Sequence, residues 1–208
     1  MCSSTPQEAG SVANAGRRIS VLAEFIAPTA AAPGHGIVLS QHHPLVMLNL
    51  RGPGSPAFCE GARLTCGCEL PRRSNASSSC ESGTILKLGP DEWLLVAGSG
   101  THWSENMAIE SATLTDVSHA RVALNVGGEK SREMLAKGCA VDLHPRYFPD
   151  GMCIQTSIAK ISVIIHKLRN GNDFALYAGR SYAASLWHWL TAASAEYGYH
   201  VAACPKRT

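Results

Sequence analysis

The hydrophobic pattern divides the chain at about residue 44. Residues 1–44 are rich in Ala, Gly, Ser and Pro without a sustained period, so we expect a flexible or extended N-terminal arm, with one short element at 19–26. Beyond the arm, apolar residues recur with the spacing of strands and helices. This part is predicted to be one folded domain over 45–203, with approximate halves 45–115 and 116–203.

Two pairs of apolar runs predict β-hairpins. In the first half, the runs 85–88 and 93–97 flank Gly-Pro-Asp-Glu, in which Pro fixes the φ angle of the turn. In the second half, the runs 161–167 and 174–178 flank Arg-Asn-Gly-Asn, a sequence typical of tight turns. We therefore expect two pairs of antiparallel strands.

Helical spacing marks two further segments. Residues 128–137 are followed by Gly138, the residue type that commonly ends a helix. In 181–197, apolar residues recur every three or four positions, with Ser181 as the expected N-cap and Gly198 as the stop. Because the helices follow strands that pair through hairpins, we predict an α+β fold rather than a doubly wound sheet.

Segments of the first half return in the second half. Leu-Asn-Leu-Arg-Gly at 48–52 is echoed by Leu-Asn-Val-Gly-Gly at 124–128, and the hairpin sequence at 89–98 is echoed at 170–179. Each unit reads strand, helix, loop, hairpin, helix. Two copies of so long a unit predict an internally duplicated domain rather than a solenoid, which needs about three copies or more to cover its core.

Composition limits the classes of function. The net charge of +2 and the scattered Lys and Arg residues provide neither a nucleic-acid footprint nor a basic patch for a membrane surface. The sequence has no run of about 18 apolar residues, so no spanning helix is predicted. The order of charged and apolar residues near the N-terminus does not fit a secretory signal. We therefore expect a cytoplasmic protein that binds no nucleic acid and no membrane.

The eight cysteines have two interpretations. No Cys-X-X-Cys pair is present, and a single residue separates the closest pair, Cys66 and Cys68, which is tighter than the usual spacing of zinc ligands. In a cytosolic chain we expect reduced thiols, mostly buried as small hydrophobic side chains. The alternative is a zinc site built from Cys59, Cys66, Cys68 and Cys80.

Catalytic motifs are missing from the sequence, which lacks GxGxxG, GxxxxGK[ST], HExxH and GxSxG. Asp116-Val117-Ser118-His119 combines an acid, a hydroxyl and an imidazole. Neighbouring residues of a strand point to opposite faces, so Ser118 and His119 cannot easily act as nucleophile and base. The alternative is a cap that closes a turn before a strand at 121–126. We predict no catalytic residue, no cofactor-binding residue and no metal ligand on this chain.

Bulky residues at two places predict an interface with another protein. In the loop at 144–148, Arg, Tyr and Phe supply rigid area of the kind that anchors interfaces, although the loop could instead pack on its own sheet. Two tryptophans two positions apart on the last helix cannot both face one core, so we expect one of them to meet solvent or a partner. The interface candidates are His144, Arg146, Tyr147, Phe148, Trp187 and Trp189.

Five short motifs occur in a fixed order along the chain. They are LGPDEWLL at 88–95, DVSHAR at 116–121, KGCAVDLHP at 137–145, GMCIQT at 151–156 and RSYAASLW at 180–187. Each motif has little specificity alone, but the ordered set is specific. Over roughly 45–201 it resembles the gamma subunit of heterotetrameric sarcosine oxidase, while the N-terminal arm has no match and 75–80 diverges.

The resemblance implies a non-catalytic gamma subunit that assembles with alpha, beta and delta subunits, with its main contact on alpha. The cofactors of such a complex, FAD, FMN, NAD, tetrahydrofolate and zinc, lie on the partner subunits. The complex is a flavin-dependent amine oxidase that converts sarcosine to glycine, hydrogen peroxide and formaldehyde or methylenetetrahydrofolate. The resemblance also implies a fold similar to the folate-binding domain of the glycine-cleavage aminomethyltransferases, in agreement with the echoed segments.

Two alternative functions stay open. The chain could be the gamma subunit of a related oxidase or dehydrogenase that acts on another secondary amino acid, because similar gamma chains serve such enzymes. It could also be a folate-binding module. In that case Asp116 or Asp142 would bond the amino-pyrimidine edge of the pterin, and Trp93 or Tyr177 would form a wall of the pocket.

Overall fold

The computed structural model describes residues 20–26, 36–42, 45–98, 100–169 and 171–203. Within these ranges the chain forms strands, three α-helices and short 3-10 turns. The strands are β1 (Ile37–His42), β2 (Leu45–Arg51), β3 (Ser77–Cys80), β4 (Gly83–Gly89), β5 (Glu92–Gly98), β6 (Thr113–Asp116), β7 (Arg121–Gly127), β8 (Cys153–Ile158), β9 (Ile161–Lys167), β10 (Phe174–Gly179) and β11 (Tyr199–Val201). The α-helices are α1 (Pro56–Cys66), α2 (Ser131–Ala136) and α3 (Ala183–Ser194).

The strands form two sheets. The larger sheet has the order β11-β1-β7-β10-β9-β8, and the smaller sheet has the order β3-β4-β5-β2-β6. Neighbouring strands are antiparallel except β1 and β11, which are parallel. The hairpins predicted from the turn sequences are confirmed as β4–β5 and β9–β10.

The two sheets pack face to face, and helices cover their outer faces. One apolar cluster joins the larger sheet to α2 and α3, a second joins the smaller sheet to α1, and a third lies between the sheets. Along β5, Trp93 and Leu95 point to α1 while Leu94 and Val96 point to the other sheet. Because both faces are covered, this strand is apolar throughout rather than alternating. The predicted α+β fold is confirmed.

Local sequence explains the limits of the helices. The Oγ of Ser55 accepts a hydrogen bond of 3.2 Å from the backbone N–H of Phe58 at the start of α1, and Gly67 ends the helix at a φ of 71°. The helix predicted at 128–137 is shorter, since Gly128 has a φ of 100° and lies against the backbone of Gly36. A Cβ at this position would stand 2.3 Å from the Gly36 carbonyl oxygen.

The last helix also differs from its prediction at both ends. Residues Arg180–Tyr182 form a 3-10 turn before α3, and Ala195–Tyr197 form another after it. Ser181 is therefore inside the first turn and is not the N-cap of the helix. Gly198, with a φ of 66°, ends the segment as expected.

The echoed segments occupy equivalent places in the two sheets. The order β3-β4-β5-β2 in the smaller sheet corresponds to β8-β9-β10-β7 in the larger one, with the echoed sequences in β2 and β7 and around the two hairpin turns. The next strand outward is β6 in one sheet and β1 in the other. The helix predicted to close the first unit does not form, because the described residues 100–112 make only turns and bends. The internal duplication itself stays a prediction.

The expectation of an arm up to residue 44 is wrong for its last part. Ile37–His42 forms β1 between β7 and β11, with Ile37 and Leu39 completely buried. Leu22 also lies in the core, and the Ser20 hydroxyl donates to Oε1 of Gln41 at 2.6 Å. A single strand that pairs with distant residues has no hairpin turn beside it, so no local signal predicts it. Residues 1–19 and 27–35 lie outside the described residues.

Candidate functional site

The loop after α2 has buried residues at 143 and 148 and exposed residues between them. Leu143 and Phe148 lie in the core, where the Phe148 ring stacks on Phe174 with 6.4 Å between centroids. Phe148 is 0% exposed, so its prediction as an interface residue is wrong. The Arg132 guanidinium donates to the backbone oxygen of Leu143, which fixes the start of the loop to α2.

Three exposed side chains of this loop, His144, Arg146 and Tyr147, form what we call the aromatic loop. Its backbone is held locally: Oδ1 of Asp142 accepts from the His144 N–H at 2.8 Å, and Nδ1 of His144 accepts from the Arg146 N–H at 3.3 Å. The Arg146 guanidinium lies 5.7 Å from the Tyr147 ring centroid, and Tyr147 is 59% exposed. These three side chains are therefore presented together on a fixed backbone. A backbone that is already held lowers the entropy lost when a partner binds.

Both tryptophans of α3 pack on the chain itself. Trp187 is 4% exposed and belongs to the core of the larger sheet, so its prediction as an interface residue is wrong. Trp189 is partly buried over Gly138, whose missing side chain makes the room: a Cβ there would stand 2.3 Å from the indole. Trp189 keeps part of its surface exposed, so its place in an interface stays a prediction.

Four large hydrophobic residues are exposed within the described part of the chain, and sequence reasoning found only one of them, Tyr147. The others are Phe25, Leu64 and Tyr182. The Phe25 ring makes an edge contact with His188 at 5.5 Å. For Leu64 a signal existed, since it lies on the side of α1 opposite the buried Phe58 and Ala62. Tyr182 ends a 3-10 turn and carries no periodic signal.

The Asp-Val-Ser-His segment is a structural cap. Oδ1 of Asp116 accepts from the Ser118 N–H at 2.7 Å, and Oγ of Ser118 accepts from the Met47 N–H at 2.9 Å. The hydroxyl is thus engaged with β2, while His119 is exposed. The cap predicted as the alternative to a catalytic pair is confirmed.

A disulfide changes the interpretation of the cysteines. Cys68, just after α1, is bonded to Cys80 at the end of β3, so the expectation of reduced thiols is wrong for this pair. The proposed zinc set also loses two of its four ligands to this bond. Cys59 and Cys66 are free and buried, and burial raises the pKa of the Cys66 thiol to about 11. In the described ranges no three His, Cys, Asp or Glu residues are placed to hold a metal ion.

Polar residues line the open end of the space between the sheets, where β2 and β10 end and β5 and β7 begin. Asn49, Arg51, Glu92 and Arg121 lie there, and we call this group the inter-sheet mouth. Oε1 of Glu92 accepts from Nδ2 of Asn49 at 2.7 Å, and its Oε2 lies 3.1 Å from the Arg51 guanidinium. Arg121 begins the neighbouring strand of the facing sheet, and the charge of Glu92 acts to raise its pKa against the larger effect of burial.

A buried histidine lies at the opposite end, where β3 meets β8. His166 is 4% exposed, and its Nε2 lies 2.9 Å from Oγ of Ser77, which donates its own proton to the Gly151 oxygen at 2.7 Å. Nε2 must therefore carry the proton of the neutral ring. Nδ1 has no hydrogen-bond partner within the described residues. Burial, helped by the charges of Lys167 and Arg169, lowers the pKa of His166 to about 4.

Comparison with known proteins decides the family. The model of the sarcosine oxidase gamma subunit family matches residues 51–196. The chain belongs to this family. The gamma subunit of sarcosine oxidase from Corynebacterium sp. strain P-1 is 31% identical over 150 residues, 70% of this chain and 73% of that protein. That of Corynebacterium sp. strain U-96 is 33% identical over 162 residues, 72% of this chain and 75% of that protein.

Solved structures agree with the membership in the gamma subunit family. Heterotetrameric sarcosine oxidase from Corynebacterium sp. U-96 contains a chain with a TM-score of 0.77 and 28% identity, over 86% of this chain and 96% of that chain. The aminomethyltransferase T of the glycine cleavage system from Bartonella henselae has a TM-score of 0.60 and 15% identity, over 80% of this chain and 48% of that chain. The second likeness shows the fold alone. The resemblance inferred from the ordered motifs is confirmed.

In this member of the gamma subunit family, the two aromatic rings considered as walls of a folate pocket lie in different apolar clusters. Trp93 faces α1 and donates from Nε1 to the Pro71 oxygen at 3.0 Å, whereas Tyr177 lies in the cluster between the sheets. Asp116 and Asp142 cap two different turns. Only one of the two rings could therefore line a given pocket, and the folate-binding alternative stays a prediction. No helix among the described residues is long and apolar enough to cross a membrane.

Proposed function

We propose that this chain is a non-catalytic structural subunit of a flavin-dependent sarcosine oxidase complex, and that the aromatic loop docks on the largest subunit, alpha. The observation that carries the proposal is the aromatic loop itself. Arg146 and Tyr147 are exposed, contact each other and stand on a backbone that Asp142 and the core residue Phe148 hold in place. A domain that needs no partner gains nothing from exposing such residues, whereas a permanent interface uses Tyr and Arg as anchors.

The chemistry of the complex is assigned to other subunits. FAD, FMN, NAD, tetrahydrofolate and zinc are proposed to bind to the alpha, beta and delta chains, and none of them to this one. The membership in the gamma subunit family supports this assignment, as does the engagement of Ser118 with β2 instead of with a base. Sarcosine is the proposed substrate of the complex. Another secondary amino acid fits this chain equally well, because the proposed role involves no contact with the substrate.

Co-expression with candidate partner subunits tests the role. We expect this chain to co-purify in a fixed stoichiometry through an interface larger than about 2,000 Å². Purified alone, it should show no flavin absorbance and no sarcosine oxidation, and the full complex should show both. Flavin bound to the chain expressed without partners, or a chain that stays separate from the others at micromolar concentration, would contradict the proposal.

A further inference from the structure

Arg121 is the residue of the inter-sheet mouth that lacks an acceptor. Its neighbour two positions along, Ala123, packs into the cluster between the sheets, so Arg121 points to the same inner side. The side chain is half-buried. Within the described ranges it makes no hydrogen bond and no ion pair, although a guanidinium has five N–H donors.

Glu92 does not serve as the acceptor for Arg121. Its contacts within the described residues are with Asn49 at 2.7 Å and with Arg51 at 3.1 Å, both on or beside its own sheet. Its charge still acts on Arg121 from across the gap, but burial is the larger influence and lowers the pKa of Arg121. A half-buried guanidinium without an acceptor lowers the stability of the chain, because lost hydration is not replaced. With Arg51, Glu92 and Arg121 charged, the mouth carries one net positive charge.

The surroundings of Arg121 are suited to a protein partner. Gly179 is paired with Arg121 in the neighbouring strand, and a Cβ on Gly179 would stand 3.5 Å from the ring of Tyr182. Tyr182 is 53% exposed. An exposed aromatic ring beside an Arg without an acceptor is a combination typical of interface anchors.

We infer that Arg121 binds a carboxylate, the side chain of an Asp or Glu of a partner subunit, with Tyr182 packing beside it when the complex assembles. The inference rests on the proposed function. The planar fork of Arg121 matches the two oxygens of a carboxylate, and one negative charge neutralises the mouth. The inter-sheet mouth is then a second contact region, separate in sequence from the aromatic loop.

Substitution of Arg121 should weaken assembly without weakening the fold if this inference is correct. In the co-expressed complex, Arg121→Gln should weaken binding of this chain by about 30-fold or more, which corresponds to about 2 kcal/mol. The isolated full-length variant should melt at the same temperature as the wild-type chain or slightly higher, because a half-buried charge without an acceptor has been removed. Arg121→Lys keeps the positive charge but not the planar, two-point hydrogen bonding of a guanidinium, so we expect an intermediate loss of binding affinity. Arg73→Gln, at an exposed arginine of the loop before β3, is the matched control.

The outcomes separate the inference from the proposed function. If the wild-type chain assembles and Arg121→Gln assembles equally well at low and high salt, the carboxylate site is wrong and the subunit role stands. If the wild-type chain does not assemble at all, the subunit role itself fails. Melting of the isolated chain in sodium acetate and in sodium chloride of equal ionic strength tests a free anion. An acetate-specific rise in the melting temperature that Arg121→Gln abolishes, with assembly unchanged, would overturn the assignment to a partner side chain.

Discussion

Adjacent residues of one loop have opposite roles. Tyr147 is among the most exposed aromatic residues described, and Phe148, the next residue, is completely buried against Phe174. Sequence reasoning placed both in an interface because a loop has no periodicity from which burial can be deduced. The distinction depends on where the backbone turns after His144, which only the folded chain determines.

The aromatic loop therefore allows a clear separation of docking from folding. The double substitution Arg146→Ala and Tyr147→Ala should weaken assembly by about 2 kcal/mol or more, since central Arg and Tyr anchors carry much of the binding energy of an interface. The melting temperature of the isolated chain should stay unchanged, because both side chains are exposed. Phe148→Ala is the contrasting variant and should cost about 3 to 5 kcal/mol of folding free energy. Normal assembly of the double variant in a pull-down titration would remove the aromatic loop from the interface.

At the scale of elements, local signals identified some strands and missed others. The turn sequences identified β4, β5, β9 and β10, because a hairpin is encoded by adjacent residues. By contrast, β1 pairs with β7, from Val38 with Gly127 to His42 with Ala123, and the apolar run of β1 is too short to be distinguished from a linker. The inter-sheet mouth was missed for the same reason, since Glu92 and Arg121 belong to different sheets. Only the ordered motifs, read as a family resemblance, placed the chain correctly as a whole.

The disulfide gives an element-scale prediction. Cys68–Cys80 closes a loop with a sequence separation of 12 residues and ties the end of α1 to β3. Replacing both cysteines by Ala should lower the free energy of unfolding by about 3 kcal/mol, because the unfolded chain regains the entropy of the open loop. Urea unfolding of the wild-type chain and the double variant, with and without dithiothreitol, measures the difference. Cys139→Ala, at a free and partly exposed cysteine, is the control. A wild-type chain that reductant does not weaken would show that the bond contributes nothing.

At the scale of the whole molecule, the two sheets are joined along one side by backbone contacts. The Ser77 N–H donates to the Gly151 oxygen at 2.9 Å, and the Cys153 N–H donates to the Asn75 oxygen at 2.8 Å. His166 lies inside this junction, with its Nε2–H directed to Ser77. Protonation of the ring would place a buried cation between the sheets, beside Lys167.

Acid should therefore weaken the whole molecule through His166. Its pKa is about 4 when folded against 6.5 for the free side chain, so the unfolded chain binds the proton first. Stability is fully present above pH 6.5 and is lost as the pH falls towards 4, by on the order of 3 kcal/mol at about 1.4 kcal/mol per pH unit. His166→Gln keeps a donor for Ser77 without titrating, so unfolding measured from pH 7 to pH 4 should show a smaller decline. His119→Gln, at an exposed residue, is the control, and equal slopes in all three proteins would refute a role for His166.

Two strands, β1 and β6, link the halves of the chain through the sheets that they complete. β1, which precedes the first half, pairs within the larger sheet, and β6, at the junction of the two halves, forms the edge of the smaller sheet. A cut in the turns at 100–112 would therefore leave two fragments that each hold a strand of the other's sheet. The nicked protein should stay associated as a non-covalent dimer of unequal pieces, as in fragment complementation. Either piece alone would lack one strand of its sheet and would expose the apolar face between the sheets. Each half therefore requires the other to fold, although each contains a hairpin of its own.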